Sequence, residues 1–354
     1  MDTSRPLGQE VFRGRMSKMG DRGMAKRPTS HDVARRAGVS QSTVSFVFTG
    51  RSGISEATRE RVLKAAADLN YRPNLAARSM RTQRTGRIAV VIPVTGLNLF
   101  PVLEGAVSTA RDAGYVVEVL SLSRSPEERE GELASLIDST EYEGVLSFSP
   151  MRTPRVASDA AAPVFLSLSE FDEEMHATGA FSDARPVVEM MERLVQLGHR
   201  RFLHVAGPSD FPAAVARRDA YLATIDRLGV ESLGVVGGDW SGITANRCVS
   251  ELPDDAPPLA ILAANDVLAA GAIRAAVSRG WSVPGDVSVT GWDDLTMSAH
   301  FIPSLTTVFQ DRQRLGTDSM RRLIAAIRGE TPPEQEAVLQ RVVWRESVAP
   351  PRAR

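Results

Sequence analysis

Residues 29–48 read Thr-Ser-His-Asp-Val-Ala-Arg-Arg-Ala-Gly-Val-Ser-Gln-Ser-Thr-Val-Ser-Phe-Val-Phe. Thr29 stands three residues before Asp32, the spacing of a capping box, so a helix is expected to begin just after Thr29. Val33, Ala34 and Ala37 supply its inner face. Gly38 admits the left-handed turn that ends it. Ser40 can cap a second helix, in which Val44, Val47 and Phe48 recur at i, i+3 and i+4. Ile54 follows in a loop, and Ser55 caps a third helix with Val62, Ala65, Ala66 and Leu69 inside. Two short helices joined at a tight glycine turn, with a third as support, form a helix-turn-helix unit.

The charge around this unit is lopsided. Residues 26–87 hold thirteen Lys and Arg against four Asp and Glu, a net of +9, within a 354-residue chain of net charge −1. Residues 1–25 carry +2, which leaves −12 for the remainder. A basic head on an acidic body points to nucleic-acid contact through the head alone. A three-helix bundle that only packs would leave the +9 unexplained. The second helix of such a unit enters a major groove with its N-terminal part. Gln41, Ser42, Ser45 and Phe46 face outward there, and Gln matches the paired donor and acceptor of an adenine edge. Thr29, Ser40, Thr43 and Thr58 offer hydroxyls and helix-terminal amides to phosphates. Residues 1–24 lack periodicity and read as a disordered tail or a mis-assigned start. Residues 25–73 form the DNA-binding head. Residues 74–87 form a linker whose first part, 74–81, is helix-competent but too short to stand alone in water.

From Ile88 onward apolar strands alternate with amphipathic helices, the signature of a doubly wound parallel sheet. The first set runs Ile88–Ile92, Val102–Ala113, Val116–Leu122, Glu127–Ile137, Gly144–Phe148 and Val164–Leu168. A second begins with helix Val187–Leu197 and continues through strand Phe202–Ala206, helix Ala213–Leu228, strand Leu233–Gly237, helix Gly242–Leu252, strand Leu259–Ala263, helix Val267–Arg279 and strand Val287–Thr290. The fold class is therefore an α-helical head plus an α/β body, residues 88–350, of two tandem doubly wound halves. Ligands of open α/β sheets sit at the carboxyl ends of the strands, here in a cleft between the halves.

With these elements placed, the sequence resembles the LacI/GalR family of bacterial transcriptional regulators. The resemblance is carried by Asp32–Ser45, by Thr58–Asn74 (TRERVLKAAADLNYRPN), and by Leu197-Gly-His-Arg-Arg, Ala264-Asn-Asp, Val283–Asp294 and Pro303-Ser-Leu-Thr-Thr-Val. It spans roughly residues 25–350 and implies a homodimer on a near-palindromic double-stranded operator. It further implies that 74–81 forms a hinge helix on DNA. Met80 would wedge into the central minor groove, flanked by Ala77 and Arg78, while Asn74 meets the backbone. Phe46 departs from the arginine common at its position and can touch only a thymine methyl, so the operator is expected to differ from the usual half-site. In the body the resemblance implies a periplasmic-binding-protein-like fold. The implied effector contacts are Asn98, Phe100, Arg217, Trp240, Asn265, Asp293 and Gln310, a set that suits a sugar. Trp240 and Asn265 also have structural readings, as a packed ring and as a helix cap. The expectation is a repressor under allosteric control by a small ligand. A purine-like corepressor is the alternative effector, and a sugar-binding protein without regulatory role the alternative class.

Other readings fare worse. No G-x-G-x-x-G follows the first strand, and there is neither a G-x-x-x-x-G-K-[ST] loop nor a G-x-S-x-G elbow. The five histidines, His31, His176, His199, His204 and His300, have no metal-ligand spacing. No enzyme activity, cofactor or metal is expected. One cysteine, Cys248, allows no internal disulfide. With no apolar leader and no run of about 18 apolar residues, the expectation is a cytoplasmic protein without membrane contact. The C-terminal Ser347–Arg354 carries no leucine heptad, which argues for a dimer rather than a tetramer.

Overall fold

The computed structural model describes residues 28–48, 53–71, 84–92, 99–122, 125–139, 141–149, 151–152, 163–168, 170–171, 177–178, 183–333 and 340–352. The expected tail, the 74–81 segment with Asn74, Ala77, Arg78 and Met80, and Asn98 all lie outside the described residues. The chain divides into two compact units, residues 1–78 and 79–354.

The first unit holds α1 (Ser30–Ala37), α2 (Gln41–Phe48) and α3 (Glu56–Asp68). Their ends follow from the sequence. The Thr29 amide donates to Asp32 Oδ2 at 2.9 Å and the Asp32 amide to Thr29 Oγ1 at 3.4 Å, a complete capping box. Gly38 ends α1 at φ +65°. Ser40 Oγ receives the Thr43 amide at 3.1 Å and Ser55 Oγ the Thr58 amide at 3.3 Å. The core is small: Val33, Ala34, Val44, Val47, Val62, Ala65 and Ala66, flanked by the edge-on rings of Phe48 and Tyr71 at 5.8 Å.

The second unit opens with β1 (Arg87–Ile92), α4 (Phe100–Asp112), β2 (Val116–Ser121), α5 (Pro126–Asp138), β3 (Gly144–Ser147), β4 (Met151–Arg152), β5 (Val164–Ser167), β6 (Glu170–Phe171) and β7 (Ala177–Thr178). It continues with α6 (Arg185–Gln196), β8 (Arg201–Ala206), α7 (Pro212–Leu228), β9 (Glu231–Gly237), α8 (Gly242–Ser250), β10 (Leu259–Ala263), α9 (Asp266–Ser278) and β11 (Val287–Thr290). It closes with β12 (Thr307–Gln310), α10 (Arg312–Arg328) and β13 (Gln340–Val343). Two four-stranded sheets form the halves, in orders β2-β1-β3-β5 and β11-β10-β8-β9, and every pairing within them is parallel. Such sheets are apolar on both faces because helices cover both. Ile88, Ala89, Val90 and Val91 are accordingly all buried, as is the whole of Leu259–Ala263. On α6, Val187, Met190, Met191 and Leu194 point inward, and each contributes about 1.5–3 kcal/mol through burial.

The end of the chain stitches the halves together. β12 pairs antiparallel with β13, and the side of β13 carrying Val342 joins the α6 core of the second half. Between them α10 returns to the first half and lies directly on α4. A Cβ on Gly316 would stand 2.0 Å from Val102 O, and one on Gly105 would stand 2.0 Å from Gln313 O. Only glycine permits that backbone approach. The crossings near Asp183 and at Asp311–Arg312 place short polar segments between the halves.

Candidate functional site

In the head, Gln41 and Ser42 open α2 and are exposed. Gln41 Nε2 donates to Ser30 Oγ of α1 at 3.0 Å, which fixes the orientation of the amide. Ser40 Oγ lies 2.7 Å from Ser42 Oγ and 2.8 Å from Thr43 Oγ1, so three hydroxyls cluster at the N-terminus of α2. There the helix dipole favours an anion. Thr58, at the start of α3, accepts from Ser55 Oγ at 2.9 Å and from Arg61 Nη2 at 3.4 Å. Ser45 and Phe46 are half-buried, so α2 presents its first turn more fully than its second.

In the body, parallel strands bring the carboxyl ends of β8, β9, β10 and β11 to one edge of the second sheet. Arg217, in the second turn of α7, reaches this edge and is 3% exposed. Its Nη1 donates to Ala264 O at 2.5 Å, and its guanidinium lies 4.1 Å from the Trp292 ring centroid. Among the described residues Nε has no hydrogen-bond partner and no ion pair neutralises the group. Burial pushes its pKa down to about 10, while Asp293 favours the charged form and Arg312 opposes it. Arg217 therefore stays protonated at neutral pH with donors to spare.

Asn265 caps α9, its Oδ1 accepting the Leu268 amide at 2.9 Å, which leaves Nδ2 as the end able to donate to a ligand. Asp293 follows β11 with φ +118° and is 8% exposed. Arg312 Nη2 donates to Asp293 Oδ1 at 2.5 Å and to Gln310 Oε1 at 2.8 Å. Gln310 Nε2 donates to Gln340 Oε1 at 3.2 Å, and Gln340 Nε2 to Asp183 O at 2.8 Å. A chain of hydrogen bonds thus runs from Asp293 through the crossings between the halves. Arg217, Asn265, Asp293 and Gln310 are brought to one region. Trp240 is packed: its ring covers Gly207, where a Cβ would meet Cη2 at 2.3 Å, and meets Phe211 edge-on at 5.7 Å. Phe100 opens α4 in the other half, 76% exposed, and no described contact joins it to the Arg217 cluster.

Two buried residues brace this edge. Asp266 accepts from the Leu295 amide at 2.9 Å, Ser298 Oγ at 2.6 Å and Thr307 Oγ1 at 2.5 Å. Burial raises its pKa to about 6 against the pull of those donors. His204 of β8 binds Leu262 O through Nδ1 at 2.9 Å and stacks on Tyr221 at 5.2 Å, and burial pushes its pKa down to about 4. Sequence reasoning missed Arg312, Gln340 and Trp292. Nothing in the pattern distinguishes Arg312 from the solvated arginines around it. Among the described residues no group of three His, Cys, Asp or Glu is placed to hold a metal, and no described helix is long and apolar enough to cross a membrane.

Comparison with known proteins matches both units. Residues 29–74 match the model described as bacterial regulatory proteins, lacI family, and residues 191–348 match a periplasmic binding protein-like domain. The chain is 34% identical over 332 residues to the HTH-type transcriptional regulator CelR of Thermobifida fusca, covering 89% of this chain and 96% of CelR. It is 32% identical to the lactose operon repressor of Escherichia coli (strain K12) over 309 residues, 85% of each chain. A crystal structure of the lac repressor dimer bound to operator and the anti-inducer ONPF superposes with TM-score 0.79 at 30% identity, covering 92% of this chain and all of that one. A CelR–cellobiose complex superposes with TM-score 0.61 at 29% identity, covering 91% of this chain and 100% of that one. On these grounds, and on its head and two-halved α/β body, this chain belongs to the LacI family of bacterial regulatory proteins.

Proposed function

We propose that this protein is a cytoplasmic, sequence-specific repressor without enzymatic activity. A homodimer holds a near-palindromic operator, and a sugar bound in the cleft of each body controls the grip. The observation that carries the reading is the union in one chain of a capped helix-turn-helix with exposed Gln41 and Ser42 and a body whose strand ends gather Arg217, Asn265 and Asp293. Lac repressor, which shares this order, is seen as a dimer on operator, and CelR is seen with cellobiose.

An exposed apolar rim on the second half supports dimerisation. Ile243 is 84% exposed, Met297 63% and Ile302 95%. Gly242 lies against Val267 at the start of α9, and Ser298 is bound to Asp266 there, so Ile243, Val267 and Met297 surround one helix end. Exposed apolar patches of this kind mark interfaces. In this reading Gln41 and Ser42 read base edges, Ser45 and Phe46 add contacts deeper in the groove, and Thr29, Ser40, Thr43 and Thr58 hold phosphates. Asn74, Ala77, Arg78 and Met80 serve the hinge, with Met80 as the minor-groove wedge.

Control follows from the crossings. A hydroxylated ligand that bonds Arg217, Asn265 and Asp293 competes with Arg312 for the Asp293 carboxylate and so acts on the Gln310–Gln340–Asp183 chain. The coupling is reciprocal: a ligand that loosens operator binding must itself bind the operator complex more weakly. A thermal-shift screen against monosaccharides, disaccharides, sugar phosphates and purines tests the reading. A native-state ligand at 100 times its Kd adds about 2.7 kcal/mol. The expected result is a sugar whose shift disappears in Arg217→Ala and Asp293→Ala. A purine hit would overturn the sugar assignment while leaving the regulator intact.

A further inference from the structure

Arg129 lies on α5 one turn before Leu133, whose side chain joins the core beneath the first sheet, so it shares the helix face turned to that sheet. α5 follows directly on the carboxyl end of β2, and the sheet is parallel, so the start of α5 lies at the carboxyl ends of the strands. Arg129 is 9% exposed. Among the described residues its one polar contact is Asp210 of the other half, with Nη2 4.0 Å from Oδ2. At that distance the pair makes no hydrogen bond, and the guanidinium, with five N–H donors, keeps its side chain 11% exposed and so open to a ligand. At the same end of the sheet, Ser149 Oγ is buried with no hydrogen-bond partner among the described residues.

Among the described residues the charges near Arg217 do not balance. There Arg217 has no ion pair. Asp293 is held by Arg312, and both Asp266 oxygens are taken by Leu295, Ser298 and Thr307. Among the described residues Asp210, at the limit of ion-pair distance and with its side chain 46% exposed, is the carboxylate paired with Arg129. We propose that Arg129 is an effector-contacting residue that selects a sugar bearing an anionic group, carboxylate or phosphate, and that Asp210 is the stand-in partner this group displaces. The proposal rests on the reading of the cleft as the effector site.

Displacement gives the two partners opposite signs. Losing Arg129 removes charge-assisted hydrogen bonds to the ligand, whereas losing Asp210 removes a competitor. The test is calorimetric titration of the full chain with two matched pairs, glucose against glucose 6-phosphate and cellobiose against cellobionate. The expected result is that the anionic member of a pair binds more tightly and that Arg129→Gln weakens it by about tenfold or more. Asp210→Asn should strengthen it by roughly twofold to fivefold. Which pair responds tells phosphate from carboxylate. Retained DNA binding shows that each variant folds, and Arg129→Lys, which keeps the charge without the planar fork, should fall between wild type and Gln. A neutral sugar that binds best and equally well to Arg129→Gln overturns this proposal alone. So does a shift in the same direction for Arg129→Gln and Asp210→Asn, which would make the pair a latch between the halves. Failure of every sugar to bind a protein that still binds DNA overturns the effector reading itself.

Discussion

The two units are stabilised in different ways. The head buries only valine and alanine among its seven core residues, and its helices depend on side-chain caps for their ends. The body buries Trp292, Tyr221, Phe148 and Phe202 completely and packs two helices backbone to backbone at Gly105 and Gly316. Small domains bury a lower fraction of their surface and are correspondingly marginal. The head therefore keeps its hydroxyls and amides at the surface, where a polyanion can meet them. The body can hold charges such as Arg217 and the Arg312–Asp293 pair away from water, because a large core offsets their desolvation.

The contrast is sharpest at two glycines. Gly316→Ala drives a methyl to within 2.0 Å of the Val102 carbonyl and should destabilise the body by at least about 3 kcal/mol, read by chemical denaturation. Gly38→Ala meets nothing within 4 Å and sits at φ +65°, so only conformational strain of about 1–2 kcal/mol is expected, confined to the head. Equal losses at the two sites would break the comparison.

Val44→Ala comes next. It removes two methyl groups from the small core and should cost the head about 2 kcal/mol. Operator binding should fall with it, while the melting point of the body stays in place. A single transition shifted as a whole would show that the two units do not unfold separately.

Acidification should separate the units as well. His204 binds a proton near pH 6.5 when unfolded but only at about 4 in the fold. The unfolded chain therefore holds more protons between those values, and body stability falls as pH drops from 6.5 towards 4. Asp266 works in the opposite sense: its folded pKa of about 6 lies above its usual 3.8, so protonation as pH falls favours the fold. His204→Asn should remove up to about 1.4 kcal/mol per pH unit from the body's slope in that window. An unchanged slope would assign the acid sensitivity to other groups. Thr29→Ala, which breaks the capping box of α1, is the smallest effect, about 1 kcal/mol in the head alone.

Legibility in the sequence followed the same division. The head could be read almost residue by residue, because Thr29, Gly38, Ser40 and Ser55 act locally and their partners lie within a few positions. The strands of the body were legible from uninterrupted apolar runs such as Leu259–Ala263. Beyond Thr290 the pattern gave no expectation for β12, α10 or β13. Their places depend on contacts more than a hundred residues away in sequence, such as Gly316 on Val102, and the two-residue strands β6 and β7 are too short for any period to show. The family resemblance points to Arg217 and Asp293, but nothing in the sequence points to the Arg312 that holds the Asp293 carboxylate. A buried arginine has the same one-letter context as an exposed one, and only the return of the chain at Asp311–Arg312 decides which it is.

In the proposed function the head reads a two-fold symmetric DNA sequence on behalf of the body. Selection of bound duplexes from a random pool by the full-length protein tests it most directly. One near-palindromic motif should be enriched, and the enrichment should be lost when Gln41 and Ser42 are both changed to Ala. A pool that stays random, or an enriched motif indifferent to those two residues, would contradict it.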